Sequence, residues 1–383
     1  MSNNYFPHDI IIDILLNLPV KSLGNFKLVC KSWRSVIEDD QFIKQHRDQC
    51  QRDINCHKIL LASWKWYYYC NCYSIDAPQL QHERDSDNVS LLELPVLPQL
   101  DPEINLTLEG VHADDCVFVN SCDGLFLLRF SSDIIVLWNP AIKESRIIPP
   151  PISIEEEDSN PSYGLGHVSD YKIVRVVRTK TDGYYVQIFS TKMDLWKLIG
   201  KLPRCDYFDG KMVVDDDGFV YMITYECANK KSVIQCMSMK NENFEDILFP
   251  DAWVKNPVLF IAGKNLLLMN ETIDSRVLYC MEKNGMRSSW SKILAITKLD
   301  DPLNAIYWID TVAFSKDRDL LLIMLNETFA FQVYDSKRRK FEKARVKVLE
   351  QVKDDVLESS QPYFGQEYVA LAYVETLISP NAL

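Results

Sequence analysis

Cys56, His57, Cys70 and Cys72 are the side chains of this sequence that come nearest to a metal site, since thiolates and imidazoles are the ligands zinc prefers. Zinc sites bring paired ligands together across turns, however, and here a strand-like run separates the pairs, so they read as core or edge thiols. Asp215, Asp216, Asp217 and Glu226 have the oxygen chemistry of a calcium loop. Phe219 and Val220 stand where such a loop needs another oxygen ligand and a sharp-turn glycine, and Asp217-Gly218 instead predicts a hairpin turn. Gly164 and Gly166 lack the third glycine and the following helix of a dinucleotide loop and read as turn residues. No Ser, His and Asp grouping and no reactive Cys and His pair stands out among six scattered histidines. The expectation is a protein without a catalytic site, metal or cofactor.

Other stretches offer contact rather than reaction. Trp64, Trp66 and Tyr67 to Tyr69 form the densest aromatic run. Large aromatics are enriched at binding hot spots, and alternation along a strand would expose half of them, which makes Trp64, Trp66 and Tyr68 the candidates for contact with a bound protein. Lys337 to Lys340 read as an exposed turn between strands rather than a nuclear signal, and Glu155 to Asp158, flanked by prolines, as an exposed loop.

The elements that must position these side chains fall into two parts. Near the start, Pro7 suits a first helical position, and Ile10, Ile11, Ile14, Leu15 and Leu18 recur on one helical face until Pro19. A second short helix carries Leu23, Phe26 and Val29, and a third, beginning near Cys30, carries Trp33, Val36 and Ile37. A body of under about 50 residues cannot cover so many large apolar side chains, so the surplus implies a partner.

The rest of the chain is β-rich. Short apolar or alternating runs predict strands at Lys58 to Ala62, Leu125 to Phe130, Tyr171 to Val177, Tyr184 to Phe189, Phe219 to Tyr225 and Leu320 to Leu325. One unit repeats: a strand, a polar turn, an aromatic or apolar residue and a second short strand. Copies begin at Ile134, Val186, Val233, Arg276 and Phe329, with a looser one at Tyr67. Their spacing of about 45 to 65 residues is that of propeller blades, which bury their faces only against one another. A six-bladed, kelch-like β-propeller is expected, its ring closed where the Ile59 strand and a strand at Tyr368 to Tyr373 share a blade.

Composition agrees with a folded protein: 47% of residues are hydrophobic and 25% charged. The net charge is -12, and residues 1 to 50 hold equal numbers of acidic and basic side chains, so the acidity belongs to the β-rich body and disfavours nucleic acid. No apolar run approaches the roughly 18 residues that span a bilayer, and the opening MSNNYF is unlike a signal peptide. No membrane association is expected, and the location expected is cytoplasmic or nuclear, where 11 cysteines stay reduced.

The helical segment resembles an F-box through Pro7, Ile14, Leu18, Pro19, Val20, Lys21, Ser22, Leu23, Val29, Cys30, Lys31, Ser32, Trp33 and Phe42, in order and without a gap. Phe6, Gly24 and Asn25 depart from the usual pattern, Gly24 removing an apolar contact from a helix. The β-rich body resembles the F-box-associated domain of plant F-box proteins, S-locus types among them. SCDGLFLL, WNPAIKE, YGLGHVSDYKIVRV, VQIFSTKMDLWKLI, SSWSKILAI, VAFSKDRDLLL and YVETLISP carry that likeness. The resemblance implies a mainly β protein with a small α module: a three-helix F-box at 1–47, a hinge at 48–57, a propeller at 58–376 and a tail at 377–383. It implies docking on the Skp adaptor of a cullin-RING ubiquitin ligase through Pro7, Ile14, Leu18, Pro19, Leu23, Val29, Cys30 and Trp33, with the propeller binding a target protein. A scaffold or decoy that promotes no ubiquitin transfer is the alternative, and a propeller enzyme of the kelch-like oxidase kind a further one.

Overall fold

Pro7, Pro19, Cys30 and Asp39 each stand immediately before a helix in the computed structural model, and the four caps set the outline of the N-terminal part. The structure describes residues 7–53, 56–64, 71–76, 89–92, 117–130, 134–156, 161–227, 231–250, 255–262, 265–271, 275–284, 287–297, 309–314, 320–325, 331–335, 340–344 and 367–383. The helices are α1 (His8–Leu16), α2 (Val20–Phe26), α3 (Lys31–Ile37) and α4 (Asp40–Arg52). Pro7 is thus a cap and not the first helical residue, its carbonyl accepting from Ile10 N at 3.1 Å. The module has four helices where three were expected. Asp39 starts the fourth, its Oδ1 accepting from Gln41 N at 2.9 Å and Phe42 N at 3.1 Å. Residues 48–52, expected to open a hinge, are the last turns of α4 and bury Cys50.

Leu15, Val20, Leu23, Ile37 and Phe42 form the helical core, and Leu377, from the far end of the chain, is buried with them. The segment expected to be a tail is therefore packed: Leu377, Ile378 and Pro380 are all buried.

The rest of the described chain forms six four-stranded sheets. The first in sequence holds β1 (His57–Trp64), β2 (Asn71–Asp76) and β3 (Val89–Leu92). The second has β4 (Val117–Cys122), β5 (Leu125–Arg129), β6 (Ile135–Asn139) and β7 (Glu144–Ile148). The third has β8 (Ser162–His167), β9 (Tyr171–Thr179), β10 (Gly183–Ser190) and β11 (Leu195–Lys201). The fourth has β12 (Tyr207–Val214), β13 (Phe219–Glu226), β14 (Lys231–Ser238) and β15 (Phe244–Ile247). The fifth has β16 (Lys255–Ala262), β17 (Asn265–Glu271), β18 (Ser275–Asn284) and β19 (Arg287–Thr297). The sixth has β20 (Ile309–Phe314), β21 (Leu320–Leu325), β22 (Phe331–Asp335) and β23 (Lys340–Ala344). The last strand, β24 (Glu367–Val374), returns to the first sheet, pairing antiparallel with β1 from His57↔Val374 to Trp64↔Glu367. Each recurring sequence unit supplies the outer two strands of one sheet.

The inner strands touch in cyclic order, β4 to β8, β12, β16, β20, β24 and back to β4, which makes the sheets the blades of a closed propeller. The core lies between blades. Leu125, Leu127 and Leu137 of the second sheet pack with Tyr163, Leu165 and Ile173 of the third, and Val174 and Val186 of the third with Val220 and Met222 of the fourth. Gly164 and Gly166 are not turn residues: they lie in β8, where added Cβ atoms would come within 2.9 Å and 2.7 Å of Val214, so the close approach of neighbouring blades requires them.

Candidate docking face

Helix α1 has one side turned to the helical core and another turned outward. Leu15 is sealed in the core and Ile11, Ile12 and Leu16 pack against it, while Ile10 is 44% and Ile14 53% exposed. Pro7, Ile10 and Ile14 follow one another at helical spacing, so the outward side is an apolar stripe. Pro19 starts α2 with φ -60° and ψ 149°, and the Leu18 carbonyl before it is held by His46 Nε2 of α4 at 2.9 Å. Burial lowers the His46 pKa, against the opposing pull of that carbonyl.

The turn from α2 to α3 carries the second exposed apolar group. Leu28 N and Val29 N donate at 3.1 Å to the Asn25 and Phe26 carbonyls, which closes the helix and leaves Leu28 81% and Val29 60% exposed. Cys30 then caps α3, its Sγ accepting from Trp33 N at 3.4 Å. Trp33 is half-buried and meets Phe26 edge to face at 5.3 Å.

Of the residues expected to touch an adaptor, Pro7, Ile14, Pro19, Val29 and Cys30 are exposed and Leu18 and Trp33 half-buried. Leu23 is the exception. It is fully buried among Leu15, Val20, Ile37 and Phe42, so it supports the face from behind rather than forming it, because its place on α2 points to the other helices. Ile10 and Leu28 join the face without having been singled out for it. Their signals are an i, i+4 pairing with Ile14 and two large apolar residues, Leu28 and Val29, side by side in a tight helix connection. Covering an exposed apolar face of this kind is a non-directional attraction that calls for no reacting group.

The remaining sequence candidates fall elsewhere. Trp64 ends β1, while Trp66, Tyr68 and Cys70 lie outside the described residues, as do 337–339 of the basic turn, whose Lys340 begins β23. Cys72 is buried in the propeller core, and Cys56 and Cys50 are free thiols joined by a hydrogen bond. Among the described residues, no group of three or more His, Cys, Asp or Glu gathers as a metal site. Asp215 organises the hairpin between β12 and β13: Oδ1 accepts from Phe219 N at 2.8 Å and Oδ2 from the Tyr221 hydroxyl at 2.8 Å. Of the acidic stretch, Glu155 is exposed, Glu156 pairs with the buried Arg175 guanidinium at 2.8 Å, and residues 157–158 lie outside the described residues.

Comparison with known proteins agrees in both parts. Residues 5–45 match the model of the F-box domain, and residues 83–379 that of the F-box associated beta propeller domain. F-box protein CPR1 of Arabidopsis thaliana is 26% identical over 376 residues, covering 89% of this chain and 84% of its own length. F-box/kelch-repeat protein At3g23880 of the same plant is 24% identical over 405 residues, covering 100% of this chain and 98% of its own.

Proposed function

This chain belongs to the F-box proteins that carry an F-box-associated β-propeller domain, and from that premise we propose that it is the target-binding subunit of a Skp-cullin-F-box ubiquitin ligase. The F-box docks on the Skp adaptor and, through it, on the cullin-RING ligase, while the propeller holds a target protein. The observation that carries the proposal is the apolar face of Pro7, Ile10, Ile14, Leu28 and Val29, left exposed on a helical module whose other side is already packed. The subunit itself needs no reacting residue. Holding the target near a ubiquitin-charged enzyme raises the effective concentration of one reactant at the other, which is catalysis by positioning. A cytosolic or nuclear location accompanies this proposal, and the nine described cysteines, all free thiols, suit it.

Transfer itself is tested by reconstitution. The full chain, captured with its target from plant extract and combined with adaptor, cullin, RING subunit and charged ubiquitin-conjugating enzyme, is expected to yield ubiquitin chains on the target only when all components are present. A target that is bound but never modified, with a half-life indifferent to proteasome inhibition, would make the protein a scaffold or decoy instead.

A further inference from the structure

Three segments that carried the family resemblance, SCDG at 121–124, NPAI at 139–142 and ETLIS at 375–379, are distant in sequence and meet beside the helices. Their meeting point is Leu377. Asn139, fully buried at the end of β6, donates from Nδ2 to the carbonyl oxygens of Thr376 at 3.0 Å and Ile378 at 2.9 Å, the residues on either side of Leu377. Asn139 Oδ1 in turn accepts from Ala141 N at 3.0 Å. Thr376 Oγ1 donates to the Asp123 carbonyl at 2.6 Å, and Ser379 Oγ donates to Glu144 Oε2. Gly124, with φ 79°, lets that turn approach so closely that an added Cβ would lie 2.6 Å from the Val374 carbonyl oxygen. The backbone around Leu377 is thus fixed from both sides. Its side chain, 5% exposed, completes the core of Leu15, Val20, Leu23, Ile37 and Phe42, with Ala141 and Ile142 packed against the same cluster.

The same turn also holds α4. The Asp123 carboxylate accepts from Gln51 Nε2 at 2.6 Å, Arg47 Nη1 at 3.4 Å and the Tyr171 hydroxyl at 2.8 Å. Burial, and then the neighbouring Asp123 charge, push the Tyr171 phenol up, so it stays a donor. Burial disfavours the Arg47 charge, but its hydrogen bond to Asp48 and the Asp123 charge outweigh that and hold it above its ordinary value.

Small helical bodies cannot cover a full core on their own. Here the surplus of apolar side chains divides in two: its inner part is covered by Leu377, Ala141 and Ile142 of the propeller, and its outer part is the docking face. We infer that Leu377 is a positioning residue for the docking face: the F-box core is completed by the segment that follows the ring-closing strand β24, so that face takes its shape only once the propeller has closed. What this says of the adaptor rests on the function proposed above; what it says of the helices does not.

Hydrogen exchange on the full chain separates the two. Leu377→Ala and Ile142→Ala are expected to speed amide exchange in α1, α2 and α3 by about tenfold or more for the first and by less for the second. Amides of β13 and β14 should keep wild-type rates, and Leu377→Met should restore α1 to α3. Affinity for purified Skp adaptor should fall in the same order as helix protection. Unchanged exchange in α1 to α3 of both alanine variants would overturn the inference, as would equal loosening of β13 and β14, which would make Leu377 a general support of the fold. Loosened helices in a chain whose wild type binds no adaptor would uphold the inference and refute the proposed function.

Discussion

Leu23 and Val29 are drawn from the same apolar repertoire, yet one is sealed in the helical core and the other faces solvent. The difference fixes which substitutions report on docking. Trp33→Ala would remove an aromatic anchor from the face and also the edge-to-face contact with Phe26, so a loss of binding would mix docking with packing. Ile14 and Val29 are cleaner, because exposed side chains contribute little to stability. Gly24 is informative in the opposite sense. It lies within α2, and a Cβ there would meet nothing within 4 Å. Gly24→Ala should therefore slow α2 amide exchange by about fourfold to fivefold, the equivalent of the roughly 0.8–1 kcal/mol that glycine costs a helix interior. An unchanged rate would mean that Gly24 costs α2 no stability.

At the scale of elements, α4 joins the two parts, Arg47 and Gln51 reaching the Asp123 turn, while His46 faces the helical module at the Leu18 carbonyl. Burial holds the His46 pKa below 6.5 in the folded chain. The unfolded chain takes up the proton first, so stability is complete above about pH 6.5 and falls as pH drops below it. The His167 pKa is lowered as well, chiefly by burial, and acts in the same direction. His46→Gln should flatten the fall in melting temperature between about pH 7.5 and 5.5; an undiminished fall would assign the effect to other groups. This helix was also the least legible in the sequence. Its inward positions, Phe42, His46 and Cys50, follow helical spacing, but a histidine and a cysteine carry two of them, so its last turns, residues 48–52, read as the start of a polar hinge. The first three helices and the outer strand pairs were legible because aliphatic and aromatic side chains mark their buried faces directly. Residues 377–383 are too short to show any period, and their burial is decided by Asn139 and Asp123, distant in sequence. Ile10 and Leu28 went unassigned on the docking face for a related reason: sequence periodicity shows that a residue is apolar, not which apolar residues the fold leaves uncovered.

At the scale of the whole molecule, β24 pairs with β1 to close the ring, the segment after it enters the helical core, and α4 bonds to the Asp123 turn. The two chain halves are thereby held as one piece, which suits the proposed role of placing a target at a fixed distance from its modifying enzyme. The central claim is that the exposed apolar side of the F-box is the adaptor contact. The most direct test is size-exclusion chromatography of the full chain with a plant Skp adaptor, alone and as the Ile14→Asp, Val29→Asp double variant, with melting temperatures measured in parallel. The account predicts a stable complex for the wild type, lost in the double variant while its melting temperature stays within about 2–4 °C of wild type. A wild-type chain that elutes apart from the adaptor, or a double variant that still binds it, would contradict the account.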